Sequence, residues 1–400
     1  MHRRQFLQLS LAASAYSLNW RLWAAPSAGS TRFILVFLRG GLDALSVLVP
    51  YTEPFYYEAR PTIALAKPHT DDPSSVLALN SDWGLHPALR ESIYPLYQAG
   101  QVAFVPFSGV GFESRSHFQA QDWLEYGQGA AVDLGLNSGF LNRLLNSLET
   151  RGSGISFTAQ LPPALQGRYP VANSPIILKD KQVLNAGYEQ LLQAMYKGHT
   201  LETLAKEGLG LRHQISAELQ QEMQTAGREA IAPRGFALEA RRIATLLRDQ
   251  PNYNVGFIDV GGWDTHIDQG AAHGQLSNHL EQLGTGLAAL AEGLGKEWQR
   301  TVVCVVSEFG RTFQENGSRG SDHGYGSTLW FLGGAIKGGA IKGRQTRLAS
   351  PAHLHENRDT PMLNENRDVL GGVFKQLYGL NDAALQAIFP KATPQNLGLL

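Results

Sequence analysis

The chain has a single cysteine, Cys304, among 400 residues, so no intrachain disulfide can form. That cysteine lies in the apolar run Thr301-Val302-Val303-Cys304-Val305-Val306, where a small buried hydrophobe is expected rather than a reactive thiol. No stretch reaches the ~20 consecutive apolar residues that a membrane-spanning helix needs. Charge of one sign is missing too: 34 Lys and Arg balance 35 Asp and Glu, with no dense basic patch, which argues against nucleic acid as a partner. There is no internal repeat of solenoid length. Gly40-Gly41 lacks the third glycine of a dinucleotide fingerprint, which argues against a Rossmann cofactor loop.

What is present begins with a targeting pattern. Arg3 and Arg4 are followed by Gln5, Phe6 and Leu7. An apolar stretch then runs from Phe6 to about Trp20 and ends near the small-residue run Ala24-Ala25-Pro26-Ser27-Ala28-Gly29. Charged start, short apolar middle and small-residue exit make residues 1–28 a cleavable twin-arginine signal peptide. The expected partner during export is the twin-arginine translocase of a bacterium. The expected destination is the periplasm or the exterior, with no transmembrane anchor after cleavage. The lack of disulfides fits a chain that folds in the cytoplasm before export. Residues 29–400 are expected to form a single domain.

Gly is abundant, 43 of 400, and clusters beside short apolar runs. Such runs span Phe33–Leu38, Val102–Pro106, Asn254–Val260, Thr301–Val306 and Leu329–Leu332, each followed closely by turn-forming residues. Continuous apolar runs of this length suit strands buried on both faces, as in a parallel sheet. Between them, Leu276, Leu280, Leu283, Leu287, Leu290 and Leu294 step by four and three, which predicts one apolar stripe on a helix from about His273 to Gln299. A shorter helix is expected over His86–Gln98, and a helical stretch over 186–248 broken at Gly208-Leu209-Gly210 and Pro233-Arg234-Gly235. Residues 52–82 and 337–365 read as long surface loops. Strands alternating with helices imply an α/β layered fold.

In an open parallel sheet, ligands bind beyond the carboxyl ends of the strands. The reactive side chains fall there. Asp43 follows the first run, and Ser114-Arg115-Ser116-His117 follows the second. Asp264 and His266 follow the third, in Gly261-Gly262-Trp263-Asp264-Thr265-His266. Glu308 follows the fourth, and Asp322-His323 come after a Gly-rich loop. Asp43, Asp264, His266, Glu308 and His323, with Asp322 as a sixth, make a carboxylate and imidazole set suited to a divalent metal. Mixed ligands suit Zn²⁺, Mn²⁺ or Fe, and oxygen subsets suit Mg²⁺ or Ca²⁺. One ion or two would fit, since a pair ~3.5–4 Å apart needs about this many ligands. Taken singly, each residue has a plainer reading as a helix cap, a turn former or a partner of backbone groups.

Ser116 with Gln119 fits a capping box ahead of a helix, so Ser116 has a capping role open to it. A helix N-terminus is equally a place where an oxyanion is favoured, so Ser116, or Ser114, has a nucleophilic role open to it. Arg39, Arg115 and Arg311 are candidates to clamp a tetrahedral anion, or else ordinary structural arginines.

Leu38-Arg39-Gly40-Gly41-Leu42-Asp43, Leu85-His86-Pro87-Ala88-Leu89, Ser114-Arg115-Ser116-His117-Phe118, Gly261-Gly262-Trp263-Asp264-Thr265-His266, Ser307-Glu308-Phe309-Gly310-Arg311-Thr312 and Asp322-His323-Gly324, behind a twin-arginine start, occur in this order. By these segments the chain resembles domain-of-unknown-function family 1501 over nearly all its mature length. That family is similar to the alkaline phosphatase and sulfatase superfamily. The resemblance implies a three-layer α/β sandwich with a mostly parallel central sheet, alkaline-phosphatase-like. It makes Asp43 resemble the first metal ligand, Ser114 or Ser116 the nucleophile, Asp264 and His266 an Asp/His pair, and His323 the final ligand. The sequence departs from the superfamily pattern at Glu308-Phe309, where an Asp-His pair is usual, and in the short spacing of Asp264 and His266. Either a second metal is bound differently, with help from Asp322, or one metal remains. The implied function is an exported metal-dependent hydrolase-like protein acting on a small anionic phosphate or sulfate ester. The alternative is a non-catalytic envelope binding or assembly protein with a degenerate metal site, and phosphoryl isomerisation or transfer is a third reading.

Overall fold

A computed structural model describes residues 31–129, 136–148, 152–174, 194–198 and 235–400. The targeting segment at 1–28 and most of the helical stretch read at 186–248 lie outside these residues. The described strands, in chain order, are β1 (Arg32–Arg39), β2 (Leu48–Val49), β3 (Leu77–Ala78), β4 (Gly84–Leu85), β5 (Val102–Gly109), β6 (Gly154–Ser156), β7 (Val171–Asn173), β8 (Val255–Gly261), β9 (Thr301–Ser307), β10 (Ser327–Leu332), β11 (Ala340–Ile341) and β12 (Asn364–Glu365). Nine of them form one sheet in the order β11-β5-β10-β9-β1-β8-β6-β7, with β12 also on β5; β2, β4 and β3 form a small second sheet.

The apolar runs become the central strands because both of their faces are covered. In β1 the side chains alternate between two cores, as the pleat requires. Ile34, Val36 and Leu38 face a layer that includes the helices Phe236–Asp249 and Gln275–Leu294. Phe33, Leu35 and Phe37 face the helices Phe140–Leu148, Asn366–Tyr378 and Asp382–Ile388. The result is helix layer, sheet, helix layer: a three-layer α/β fold. The leucine stripe from Leu276 to Leu294 is buried throughout, as its spacing predicts. The helix itself is shorter than expected, ending at Leu294 and passing into the 3₁₀ segment Gly295–Arg300. Likewise the expected helix over 86–98 divides into the 3₁₀ turn Pro87–Leu89 and the helix Ile93–Gln98. Cys304 is buried mid-strand, and burial pushes its thiol far above the ordinary range. No helix among the described residues is long and apolar enough to cross a membrane.

Strand direction decides where the site can form. β1 is parallel to β8 and β9, and β6 is parallel to β8 and β7. β10 is antiparallel to both β9 and β5, so β5 runs the same way as β9. The carboxyl ends of β1, β5, β8 and β9 therefore share one edge of the sheet. β10, one of the runs read as parallel, is the reversed strand. Its reversal follows from its connection: no helix carries the chain back across a face after β9, so residues 308–326 leave and re-enter the sheet at the same edge. The stretches read as surface loops are also more integrated than expected. Residues 52–82 carry the helix Pro54–Ala59 and the fully buried Arg60, Ile63 and Leu65; residues 337–365 add β11 and β12 beside β5.

Replacing Leu287 by Ala should cost about 2–5 kcal/mol of unfolding free energy through the cavity left in the helix–sheet core. The exposed Glu281 on the same helix should tolerate Ala within about 0.5 kcal/mol. Urea denaturation of the two variants checks the contrast.

Candidate functional site

The site is assembled where strand ends are pressed together. β1 runs straight into Gly40, whose φ is +128° and whose missing Cβ would lie 2.6 Å from the backbone nitrogen of Asp264. Only glycine lets the end of β1 lie so close to the segment that follows β8. A Cβ on Gly320 would sit 2.3 Å from the carbonyl oxygen of His266, so the loop between β9 and β10 is drawn equally close to that segment.

A buried ion pair fixes these segments from behind. Asp43 accepts hydrogen bonds from Arg60 through both carboxylate oxygens, at 2.7 and 3.0 Å. Ser46 and Gln269 also donate to it, each at 2.7 Å. Burial alone would raise the Asp43 carboxyl, but the Arg60 guanidinium outweighs it and holds the group below the usual carboxylate range. Arg60 also donates to the carbonyls of Thr312 and Phe313, tying the loop after β9 to the loop after β1. Gln269 accepts from Thr265 and Ser321, which extends the same network to the residues flanking Asp264 and His323.

In front of this network three imidazoles surround Asp264. His266 Nε2 lies 2.9 Å from Asp264 Oδ1, His323 Nε2 lies 3.2 Å from the same oxygen, and His117 Nε2 lies 3.4 Å from Oδ2. The two rings His266 and His323 meet Nε2 to Nε2 at 3.0 Å. Every one of these rings has its other nitrogen on an oxygen acceptor. His117 Nδ1 faces Glu308 Oε1 at 2.9 Å, His266 Nδ1 faces Asp322 Oδ1 at 3.0 Å, and His323 Nδ1 faces the Arg115 carbonyl at 2.7 Å. An acceptor at Nδ1 places the ring proton there and leaves the lone pair of a neutral ring on Nε2. His117 Nε2 is shielded from solvent and has no hydrogen-bond partner. Ligand atoms of His117, Asp264 and His323 all lie within 4.8 Å of one another. The three Nε2 atoms thus all lie within 3.4 Å of an Asp264 oxygen, with acceptors behind the rings, and Arg311 Nη1 lies 3.5 Å from His266 Nε2; imidazole and carboxylate groups are able to ligate a transition metal.

Charge in the site is set by its neighbours. Burial would raise the Asp264 carboxyl, but Arg311, which donates to Oδ1 at 2.7 Å, and His266 hold it below the usual range. Burial would raise Glu308 as well; hydrogen bonds from His117 and Gln121 and from the Gly40 N–H keep it ionised. The hydrogen bond to Glu308 raises the His117 imidazole above its ordinary value, whereas burial lowers that of His323. Asn316 donates to Asp322 and lowers its carboxyl.

The residues singled out in the sequence separate into distinct positions. Asp264, His266 and His323 come together. Glu308 and Asp322 are placed behind histidines rather than beside Asp264, and Asp43 stands in the pair with Arg60 with its oxygens already engaged. Ser116 occupies the N-cap position of the helix His117–Tyr126, but its hydroxyl caps no N–H. The expected capping box is not formed, because Gln119 accepts instead from Ser114, whose hydroxyl oxygen in turn accepts from the Ser116 N–H. Arg115 is half exposed, 3.7 Å from Glu356 and 3.9 Å from Asp359. Arg311 is buried against Asp264, and Arg39 is bound to Asp259, Gln121 and Glu125. His117 was not among the ligands read from the sequence. Its signal was its place at a helix start beyond β5, in a segment read only for its serines and arginine.

The chain belongs to the family described as a protein of unknown function, DUF1501, whose model matches residues 30–389. No curated protein matches it. Among solved structures, the lipoteichoic acid synthase LtaP from Listeria monocytogenes is 9% identical with a TM-score of 0.41, covering 93% of this chain and 76% of that one. Ps i-CgsB in complex with k-i-k-neocarrahexaose is 12% identical with a TM-score of 0.36, covering 92% of this chain and 75% of that one.

Arg60→Met removes the cation paired with the buried Asp43 carboxylate and should cost about 3–5 kcal/mol of stability. The double variant Asp43→Leu/Arg60→Met should recover at least half of that loss in urea unfolding. A single variant within about 1 kcal/mol of wild type would show that the pair does not anchor these loops.

Proposed function

We propose that this DUF1501 protein holds one divalent transition-metal ion on His117, His266, His323 and Asp264 and uses it to cleave a phosphate or sulfate ester outside the cytoplasm. The observation that carries the reading is the orientation of the three imidazoles: each Nδ1 is spent on an acceptor, each Nε2 turns toward Asp264, and His117 Nε2 is shielded and unpaired. Three nitrogens and a carboxylate favour Zn²⁺, Mn²⁺ or Fe²⁺ over Mg²⁺ and Ca²⁺, which take oxygen ligands. One ion is the reading because Asp43 is spent on Arg60, and Glu308 and Asp322 each turn an oxygen to the Nδ1 of a proposed ligand histidine rather than to the Asp264 side of the rings. Glu308 and Asp322 are then the acceptors that orient ligand histidines.

A bound ion of this kind would polarise the ester and offset charge on its oxygens. The rest falls to the chain. Ser116 is the proposed nucleophile, with Ser114 the alternative. Ser116 is favoured because it spends its hydroxyl on no cap, whereas the Ser114 hydroxyl is engaged with Gln119. The N-terminus of the helix His117–Tyr126 presents backbone N–H groups beside it, which suit an anionic group. Arg311 keeps Asp264 ionised, and the half-exposed Arg115 would exchange its pairs with Glu356 and Asp359 for an incoming ester oxygen. The twin-arginine signal at 1–28 would carry the folded domain of 29–400 to the periplasm or beyond.

One observation favours a second reading. The Phe309 ring packs 4.9 Å from His117 and 5.0 Å from His323, where the superfamily pattern has a further imidazole. In that reading the same cluster binds metal in a non-catalytic envelope protein.

Mature protein made in metal-replete medium should carry about one Zn²⁺ or Mn²⁺ per chain by elemental analysis. His117→Ala should abolish retention of the ion. Glu308→Gln, which leaves all proposed ligands in place, should weaken metal affinity about 10–100-fold. The loaded protein should hydrolyse at least one member of a phosphomonoester, phosphodiester and sulfate-ester panel, and Ser116→Ala should lower that rate by at least 100-fold. Metal retention without any hydrolysis would favour the second reading, and absence of metal would overturn both.

A further inference from the structure

Arg39, a candidate anion clamp by its sequence, turns its guanidinium to groups of the protein itself. Its Nε donates to Asp259 at 3.0 Å, and its Nη1 donates to Gln121 Oε1 and to Glu125 Oε1, each at 2.9 Å. The guanidinium lies 4.5 Å from the centre of the Phe37 ring, two residues back and so on the same side of β1. Glu125 is buried, and its other oxygen accepts from the Ala164 N–H at 3.0 Å.

His117, Gln121 and Glu125 are spaced by four along the helix His117–Tyr126, so they share one helix face. Leu124, next to them, packs in the core on the Phe37 side of the sheet. Two strand ends meet this face. Arg39, at the end of β1, takes Gln121 and Glu125; Glu308, directly after β9, takes His117 and Gln121. Gln121 touches both: its Oε1 accepts from Arg39, and its Nε2 donates to Glu308 Oε1 at 3.0 Å. A guanidinium offers only donors and an ionised carboxylate only acceptors, whereas an amide has one end of each kind. Arg39 therefore fixes which end of Gln121 meets Glu308. With the amide reversed, oxygen would face the Glu308 carboxylate and the amide hydrogens would face the guanidinium, and both contacts would repel. The Glu308 oxygen held in this way is the one that faces His117 Nδ1 at 2.9 Å.

We infer that Arg39 is a positioning residue for His117: it docks the helix face through Glu125 and orients the Gln121 amide, which holds the Glu308 oxygen on which the His117 ring is anchored. The inference rests on the metal-site reading above only for the use made of His117; the chain of contacts that holds the ring is formed without an ion. Neutralising Glu125 and Asp259 alone would make Arg39 a structural residue. That role predicts nothing about the His117 proton, so the two can be told apart.

The test follows the His117 Nδ1–H in ¹⁵N-labelled, metal-free mature protein, its signal assigned by loss in His117→Ala. Its exchange with water is read by saturation transfer. Arg39→Met/Glu125→Gln removes the guanidinium without leaving a buried carboxylate unpaired. With circular dichroism unchanged, exchange in this variant should be about tenfold faster than in wild type, and zinc affinity by chelator competition should fall about 10-fold. Gln121→Leu should have the same two effects. Combining it with Arg39→Met/Glu125→Gln should add less than about twofold, because both interrupt one chain of contacts. Should Arg39→Met/Glu125→Gln fail to fold, Arg39→Lys decides. It keeps a charge beside Glu125 but lacks the fork that reaches Gln121 and Asp259 as well, and exchange should still be about threefold faster. Wild-type exchange in the Arg39 variants, or effects that add to those of Gln121→Leu, overturn the inference. The expected exchange pattern in a protein that binds no zinc would overturn the metal-site reading and leave the positioning of His117 by Arg39 standing.

Discussion

The site depends on hydrogen bonds at one nitrogen of each imidazole. A histidine on a loop can turn its ring and exchange its tautomer, and neither freedom is compatible with a preformed cluster. Here Glu308 holds His117, Asp322 holds His266, and the Arg115 carbonyl holds His323. Once those bonds form, the remaining nitrogens have one direction left to face, and that direction is Asp264. The carboxylates behind the rings are themselves held: Glu308 by Gln121, Ser307 and the Gly40 N–H, Asp322 by Asn316. Rigidity in the cluster is thus borrowed from the layer behind it, as preorganised sites require.

That layer is in turn fixed by the fold. Parallel β1, β8 and β9 bring three segments to one edge, and the reversal at β10 keeps all of residues 308–326 there. The Asp43–Arg60 pair binds the first of these segments to the last, and Gln269 binds the second to both. An isolated charge in that position would be costly; the pair is tolerable because every oxygen and most of the guanidinium have partners. Glycine at 40 then allows the backbones to touch. Sheet direction, buried ion pair, close backbone approach and imidazole anchors are successive levels of one arrangement, and each is needed for the next.

Much of the architecture was readable in the chain. Strands buried on both faces leave continuous apolar runs, and the leucine stripe has the period of a helix lying on a sheet. The edge at which the histidines and carboxylates gather followed from those two facts. What was not readable has a common cause: roles set by contacts distant in sequence. Asp43, Asp264, Glu308 and Asp322 are chemically alike, so composition cannot separate a carboxylate beside the imidazole nitrogens from one behind a ring or one paired with arginine. Arg60 looked like a loop residue because nothing nearby announces burial. His117 looked like part of a helix start. The direction of β10 left no local trace, since an apolar run reads the same either way.

In the function proposed for this chain, the three Nε2 atoms and the Asp264 carboxylate ligate one ion. X-ray absorption at the metal edge of the purified mature protein tests it most directly. With zinc bound, three imidazole nitrogens and a carboxylate oxygen should form the first coordination sphere at about 2.0–2.2 Å. Multiple-scattering features of three rings should be present in wild type and of two in His323→Ala. A sphere of oxygens alone, or a ring count that His323→Ala leaves unchanged, would contradict it.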